Sequence, residues 1–496
     1  MLTSILESHI SNASAIRLTT GETFSYLQLN NMVAQMAAKL AGVGLKPGMT
    51  VNIVINNGIE FIASFLSVIR CGAIAAPLNP SYTANEFSFY IADAGSTFII
   101  VKDLKNPSVN VAKTADLHVL SVGVSKGTIR LEDLSGELTS NRDPEVPNNE
   151  AVALFLHTSG TTSKPKGVPL THDNLLTSVA NIVETYNLTE LDSSTVVMPL
   201  FHVHGLIGVA LSTLASGGCL VIPPRFSAGT FWKTQADTNA TWYSAVPTIH
   251  KILLDRAGSD HAPDESFRFI RSCSAALSKE ILLGIEDRFG SPVVEAYGMT
   301  EASHQMSSNR LPPFNRHPGT VGHATGVEIS VRDENGFETN KSELGEVCVK
   351  GSSVMGGYVN NEFANNSAFW GKWFRTGDQG FLSDDNYLTL TGRLKELINR
   401  GGEKISPLEV DHVILSHPAV SEAICFSMPD AKYGECVNAA VVSSESISEL
   451  SIKNYCAEKL ASFKIPDRIY FLDELPKSAT GKVQRRHIAE MFKEIK

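Results

Sequence analysis

Long apolar runs are missing from this chain of 496 residues. Although 43% of the residues are hydrophobic, no stretch approaches the roughly 18 apolar residues that span a membrane as a helix. Positive charge is also short: 42 Lys and Arg against 52 Asp and Glu leave a net charge of −10. That balance argues against nonspecific nucleic-acid binding, which needs a basic surface. A local basic loop for a small anion is compatible with it. The seven cysteines, at 71, 219, 273, 348, 425, 436 and 456, are scattered and include no Cys-x-x-Cys pair. They support neither a zinc knuckle nor a disulfide framework, and a reducing compartment is expected. Met1 to Asn12 has no basic-plus-apolar leader pattern. The chain ends Glu494-Ile495-Lys496 rather than in the peroxisomal Ser-Lys-Leu, so a cytoplasmic setting is expected over a peroxisomal one. Tandem repeats and low-complexity tracts are absent.

The length exceeds one ordinary core and predicts two or more domains. Up to about Leu390, short apolar strands alternate with helical patterns. Strands are expected at Val51–Ile55, Thr97–Val101, Ala151–Leu156, Thr195–Leu200, Cys219–Ile222, Trp242–Ala245, Phe267–Ser272 and Val293–Ala296. Helices are expected at Gly58–Arg70 and Gly205–Ala215. Such alternation is the signature of parallel sheets covered by helices. Residues 123–150 are polar and weakly patterned and read as an excursion or linker. Glu328–Val331 and Gly345–Val349 read as antiparallel strands, with a turn signal at Asp333-Glu334-Asn335-Gly336 between them. The texture changes near Gly392. About a hundred residues follow, a length that suits a small separate domain. The boundary is placed at Lys395, dividing the chain into 1–394 and 395–496.

Between the first domain's strands lies His157-Thr158-Ser159-Gly160-Thr161-Thr162-Ser163-Lys164-Pro165-Lys166-Gly167. It is rich in hydroxyls, with glycines and two lysines. A core needs none of these, whereas a polyphosphate needs all of them. The loop is not a Walker A motif, which ends Gly-Lys-Ser/Thr. The lesser alternative for the loop alone is a solvated Ser/Thr/Gly turn that carries its lysines by chance. A second feature is His202-Val203-His204, an i, i+2 pair that would face one side of an extended segment. No third ligand has metal-site spacing, so a metal assignment is declined.

Six motifs in order resemble the acyl-adenylate-forming superfamily of acyl-CoA synthetases, peptide adenylation domains and luciferases. They are the loop at 157–167, Pro199-Leu200-Phe201-His202, Tyr297-Gly298-Met299-Thr300-Glu301, Trp373-Phe374-Arg375-Thr376-Gly377-Asp378, Gly392-Arg393-Leu394-Lys395-Glu396, and Pro476-Lys477-Ser478-Ala479-Thr480-Gly481-Lys482. The resemblance implies an α/β fold with a large N-terminal domain of mixed and parallel sheets covered by helices. A β-barrel-like subdomain and a small, mobile α+β C-terminal domain complete it. It implies ATP and Mg²⁺ as requirements, coenzyme A as co-substrate, a small carboxylic acid as substrate, no nucleic-acid partner, and a monomer or homodimer.

The same resemblance distributes roles. Thr158, Ser159, Gly160, Thr161, Thr162 and Lys166 would hold the β- and γ-phosphates. Thr300 would meet the α-phosphate, and Glu301 would ligate Mg²⁺ with a hard carboxylate oxygen. Tyr297, with Glu295 and Ala296, would lie at the adenine beside Ser274, Ala275 and Ala276. Asp378 would accept from the ribose hydroxyls, and Arg393 would reach ribose and phosphate. Lys482 would stabilise charge in adenylation and leave for the second half-reaction. Lys395 would be the hinge, and Gly401 and Gly402 would line the coenzyme A channel. His202 would stand at the acyl pocket and tunnel mouth, as a catalytic-site gate. His204 would share the pocket or be a buried core histidine.

The acyl pocket is expected to include residues after Glu301, here Ala302-Ser303-His304-Gln305-Met306-Ser307-Ser308. Such a lining suits a small polar acid, with Ser303, His304 and His202 meeting a second carboxylate. Alternatively, Ser303 bonds its own backbone and His304 faces solvent. Ser163 stands where most of the superfamily has glycine. With Phe201-His202-Val203-His204-Gly205-Leu206 and Glu301-Ala302-Ser303-His304-Gln305-Met306, it resembles the oxalate–CoA ligase branch among 4-coumarate–CoA ligase-like enzymes. Arg310, where that branch tends to have proline, and Asp411, in place of a common glutamate, are departures. Oxalate is the leading acid. Malonate, 4-coumarate-like and medium-chain acids are alternatives, and a nucleotide-binding pseudoenzyme is the reading from another class.

Lys482→Ala should abolish adenylate formation, at a barrier cost of about 3–4 kcal/mol. Transfer to coenzyme A from supplied acyl adenylate should persist. Single-turnover assays of each half-reaction check this, and equal loss of both contradicts the two-conformation role.

Overall fold

The computed structural model describes residues 2–125, 127–134, 136, 141–145, 147–158, 165–259, 267–477 and 483–493. Four sheets organise them. One has seven strands, in the order Thr128–Asp133, His118–Ser125, Ser96–Val101, Thr50–Val54, Ile74–Pro77, Val152–Thr158 and Lys166–Thr171. Its inner pairings are parallel and both end pairings antiparallel. A nine-stranded sheet repeats the plan. Its order is His323–Ala324, His304–Ser308, Val293–Met299, Phe269–Ser272, Trp242–Ala245, Ser193–Thr195, Cys219–Ile222, Ser14–Leu18 and Thr23–Ser25. The antiparallel edges are made by His323–Ala324 and His304–Ser308 at one end and Thr23–Ser25 at the other.

The helix Ile59–Arg70 is buried at every position from Ile59 to Ile69. A helix apolar on nearly all sides has to sit inside a layered core, and it packs beside the helix Tyr26–Gly42 in the largest core cluster. Ser25 opens Tyr26–Gly42 with a capping box to Gln28, satisfying two of the donors a helix start leaves unpaired. The third sheet is antiparallel throughout: Glu328–Arg332, Gly345–Lys350, Trp373–Leu382, Phe369–Trp370 and Leu388–Arg393. The C-terminal sheet joins Ile398–Arg400, Glu403–Ile405, Gly434–Ser443, Val420–Asp430 and Arg468–Phe471 over a core of its own. The fold is therefore α/β, with a large N-terminal part of parallel and mixed sheets and a smaller C-terminal one. Among the described residues, no helix is long and apolar enough to cross a membrane.

Three sequence expectations are corrected. Residues 123–133 do not form a linker: Thr128–Asp133 pairs antiparallel with His118–Ser125. Ile129 and Leu131 are buried between exposed neighbours, the period-two pattern of a half-buried edge strand, which the polar composition conceals. The strand expected at Thr195–Leu200 ends at Thr195. His202 and His204 do not share a face of an extended segment either. Val203–Gly205 is a helical turn continued by a π-helical segment, Leu206–Leu211.

In the C-terminal part, Arg485 donates to Asp411 Oδ2 (2.8 Å) and to Glu396 Oε2 (3.1 Å), and Asp411 also accepts the Cys425 N–H. Asp411 is buried. Removing one partner leaves a buried charge and a buried N–H unmatched, so Asp411→Ala should cost about 3 kcal/mol. Urea unfolding of the full chain, followed by far-UV circular dichroism, measures it.

Candidate active site

The strand Val293–Met299 runs into a single 3₁₀ turn, Thr300–Ala302, and returns as His304–Ser308. The return is tight enough to demand glycine at 298, where a Cβ would lie 1.9 Å from the His304 carbonyl oxygen. Ser303 (φ +53°) and His304 (φ +98°) both take left-handed backbone, as does Ser274 (φ +76°) on the neighbouring crossover. Non-glycine residues avoid that region, and where they adopt it the surroundings over-determine it, often at a functional site.

The turn delivers Glu301 to a point where three sheets meet. Its buried carboxylate accepts from Tyr358 Oη (2.9 Å) and Thr158 Oγ1 (3.5 Å) at Oε1. Lys166 Nζ lies 3.9 Å from the centroid of the Tyr358 ring. Its ammonium is held below the usual lysine range by burial. Glu301 opposes that shift, and Lys395 and Arg393 reinforce it. Beside them Arg393 Nε pairs with Asp378 Oδ1 at 3.0 Å, across adjacent strands in register. Tyr297 donates its phenol to Asp378 Oδ2. Asp378 pushes the Arg393 guanidinium up, while burial, and then Asp378, drive the Tyr297 phenol well above its ordinary range. Lys166, Arg393 and Lys395 thus converge on two buried carboxylates, with positive charge left over for a bound anion.

Other predicted residues fall around this centre. Thr300 is half-buried at the turn, Ala296 is buried, and Ser274 is half-buried next to exposed Ala275 and Ala276. Glu295 is buried and accepts the Gly319 N–H at 3.0 Å. Burial lifts its carboxyl to about 8, against the Gly319 bond, with Glu286 adding to the rise. Gly401 (φ +62°) and Gly402 (φ +102°) turn the C-terminal hairpin and are held by Tyr433 O and Asn399 Oδ1. His157 turns away from the loop it precedes, to Asp93 Oδ2 at 2.8 Å. Ser159, Gly160, Thr161, Thr162 and Lys482 lie outside the described residues.

A second cluster stands behind the first. His202 is half-buried at the entry to the helical turn. His204 is buried, with Nδ1 3.0 Å from Ser274 Oγ and Nε2 2.7 Å from Ser244 Oγ. Its ring stacks on that of His304 at 5.3 Å between centroids. His304 is buried and does not face solvent. Ser303 is buried as well, and its hydroxyl has no partner among the described residues, so it does not bond its own backbone. Gln305, expected in the lining, joins the second cluster, and Arg271, Tyr186, Ser244 and Tyr358, absent from the residues expected, complete the two. For Arg271 a signal existed, a charge inside the apolar strand Phe269–Ser272, since arginine is almost never buried without a partner.

A phosphate-grade cationic centre, a carboxylate pair and a buried polar cluster behind them suit a nucleotide-dependent enzyme of the AMP-binding type. Residues 7–359 match the AMP-binding enzyme family and residues 409–482 the AMP-binding enzyme C-terminal domain. The chain belongs to that family. It is 48% identical to an oxalate–CoA ligase of Arabidopsis thaliana over 95% of this chain and 94% of that protein. It is 45% identical to an oxalate–CoA ligase of Saccharomyces cerevisiae, over 89% and 87%. The crystal structure of ATP-bound MatB from Rhodopseudomonas palustris superposes with a TM-score of 0.90 at 28% identity, covering 100% of this chain and 99% of that one.

Glu295 sets a pH dependence. Its folded carboxyl titrates near 8, above the ordinary 4.5, so the unfolded chain loses this proton first. The group's stabilising contribution is whole below about 4.5 and is lost as pH rises to about 8. Glu295→Gln cannot titrate. Its melting temperature relative to the parent should climb between pH 5 and pH 8 and level off above, as calorimetry at three pH values will show.

Proposed function

We propose that this AMP-forming acid–CoA ligase takes oxalate as its acid. The observation that carries the reading is the buried polar cluster at the acyl side: His204, His304, Ser244, Arg271 and Gln305 stand where a long or aromatic acyl chain would need an apolar wall. A second substrate carboxylate costs several kcal/mol to desolvate unless donors meet it. Here the Arg271 guanidinium and the unpartnered Ser303 hydroxyl are the groups that would meet it, with the His204 and His304 rings packed beside them.

The chemistry assigned to the chain has two halves. The acid's carboxylate attacks the α-phosphorus of ATP, and pyrophosphate leaves. The thiolate of coenzyme A then attacks the acyl carbon, and AMP leaves. In the first half Lys166 and the hydroxyls of 158–162 hold the phosphate tail, and Thr300 meets the α-phosphate. Asp378, held by Arg393 and Tyr297, is the acceptor-only carboxylate assigned to the ribose hydroxyls. Exposed Ala275 and Ala276 leave the adenine a flat bed. Glu301 fits Mg²⁺: it is a buried, oxygen-only donor flanked by hydroxyls, the set that a hard cation prefers. When bound, the ion neutralises charge on the phosphates. Lys482 supplies the mobile cation for adenylation, and rotation about Lys395 brings Gly401 and Gly402 to the coenzyme A channel.

A thioester assay over oxalate, malonate, acetate, coumarate and octanoate tests the reading. Oxalate should exceed malonate in kcat/KM by about 10- to 100-fold, the value of one methylene in a fitted pocket, with AMP and pyrophosphate released in equal amounts. Malonate leading the panel would replace oxalate. ATP binding with no acid turned over would leave a nucleotide-binding pseudoenzyme.

A further inference from the structure

Arg271 is fully buried on the strand Phe269–Ser272. It donates to Tyr186 Oη (2.9 Å), Ser244 Oγ (3.0 Å), His304 Nε2 (2.9 Å) and Gln305 Oε1 (3.0 Å). None of these partners is a carboxylate. Other arginines of the chain are placed differently: Arg268 pairs with Asp192, Arg316 with Glu286, Arg375 with Glu346, Arg393 with Asp378, and Arg485 with Asp411. The most deeply buried of these guanidinium groups is the one whose charge is left unbalanced. Burying an ion without a counter-ion costs several kcal/mol, so its retention calls for a negative charge that arrives with a ligand.

The contacts also carry direction. A guanidinium has no lone pair to offer and only donates. His304 Nε2 therefore accepts, and the proton of the neutral imidazole sits on Nδ1. Ser244 Oγ accepts from Arg271 and turns its own proton to His204 Nε2. His204 Nδ1 then donates to Ser274 Oγ, which frees the Ser274 hydroxyl proton for the cleft beside exposed Ala275 and Ala276. Gly208 makes the geometry possible, because a Cβ there would lie 2.4 Å from His304 Nε2.

We propose that Arg271 is the specificity-determining positioning residue of the acyl pocket. Its hydrogen bonds orient His304 and, through Ser244 and His204, the Ser274 hydroxyl, and its unbalanced charge selects an acid that carries a second carboxylate. The inference rests on the dicarboxylate assignment made above.

The test compares Arg271→Met, Arg271→Lys and Gly208→Ala with the parent, measuring KM for oxalate, KM for ATP and kcat. Arg271→Met should raise the KM for oxalate on the order of 100-fold, the effect of one unit charge about a side chain away. The KM for ATP should stay within about 3-fold, since the lost interaction is with the acid. Arg271→Lys, which keeps the charge but not the fork, should recover about 10-fold of the loss. Gly208→Ala, which displaces His304 and leaves the charge, should also raise the oxalate KM and spare that for ATP. Loss of oxalate and ATP affinity together, or a lysine variant no better than methionine, would make Arg271 a structural residue only. If Arg271→Met lacks a cooperative melt, the lysine and Gly208→Ala variants decide alone: an unchanged oxalate KM in Gly208→Ala, or unequal loss favouring ATP in either, overturns the proposal. A parent enzyme silent toward oxalate but active on monocarboxylates is a different failure. It removes the substrate assignment itself, and this inference with it.

Discussion

Two carboxylates that must stay buried hold this molecule's working parts together. Glu301 comes from the nine-stranded sheet, Thr158 and Lys166 from the seven-stranded one, and Tyr358, Asp378 and Arg393 from the antiparallel sheet and the loop before its long strand. Buried carboxylates persist only where donors and cations reach them. The positions of the three sheets are therefore tied at this one place by hydrogen bonds and charge, not only by apolar packing. Lys395, at the passage into the C-terminal sheet, feels the same field, since it helps hold the Lys166 ammonium down. The chain therefore enters its C-terminal sheet from this electrostatic centre.

The second cluster solves the opposite problem. There the buried charge is positive, and the groups around it are neutral hydroxyls, imidazoles and an amide. The backbone bends to place them: left-handed Ser274, Ser303 and His304 on one side, and a π-helical turn with Gly208 against the His304 ring on the other. π-helical turns and strained residues concentrate at functional sites because packing alone would remove them. The two clusters share the Thr300–His304 turn, so a change at His304 reaches Glu301 across only Ala302 and Ser303.

Much of this was legible in the sequence, and for identifiable reasons. The strands Cys219–Ile222 and Trp242–Ala245 match their expected limits because short apolar runs between helices admit one assignment. The hairpin at 118–133 was hidden, since its outer strand alternates Ile129 and Leu131 with polar residues inside a polar stretch. At the site, Thr158, Lys166, Glu301, Asp378 and Arg393 were expected as neighbours only through their order along a familiar pattern. Nothing in the spacing from 158 to 393 states a distance. Arg271 and Tyr358 carry no motif, and their importance appears only when burial and partners are known. For His204 the sequence left core and pocket readings open, and for His304 pocket and solvent; the structure buries both in one polar cluster.

The overall charge of −10 and the chemistry of the site belong to one design. ATP, a carboxylic acid and coenzyme A are all anions, and an acidic surface does not attract them at long range. At about 0.15 M salt, however, exposed charges are screened beyond about 8 Å, so the outer shell weighs little once a ligand enters the cleft. Inside, Lys166, Arg393, Lys395 and Arg271 act in a less polar medium, where each unit of charge counts several times more than it would in water. Discrimination among anions then depends on where these few cations are held rather than on how many the chain contains. One buried arginine without a counter-ion is for that reason a stronger local field than the excess of carboxylates on the surface.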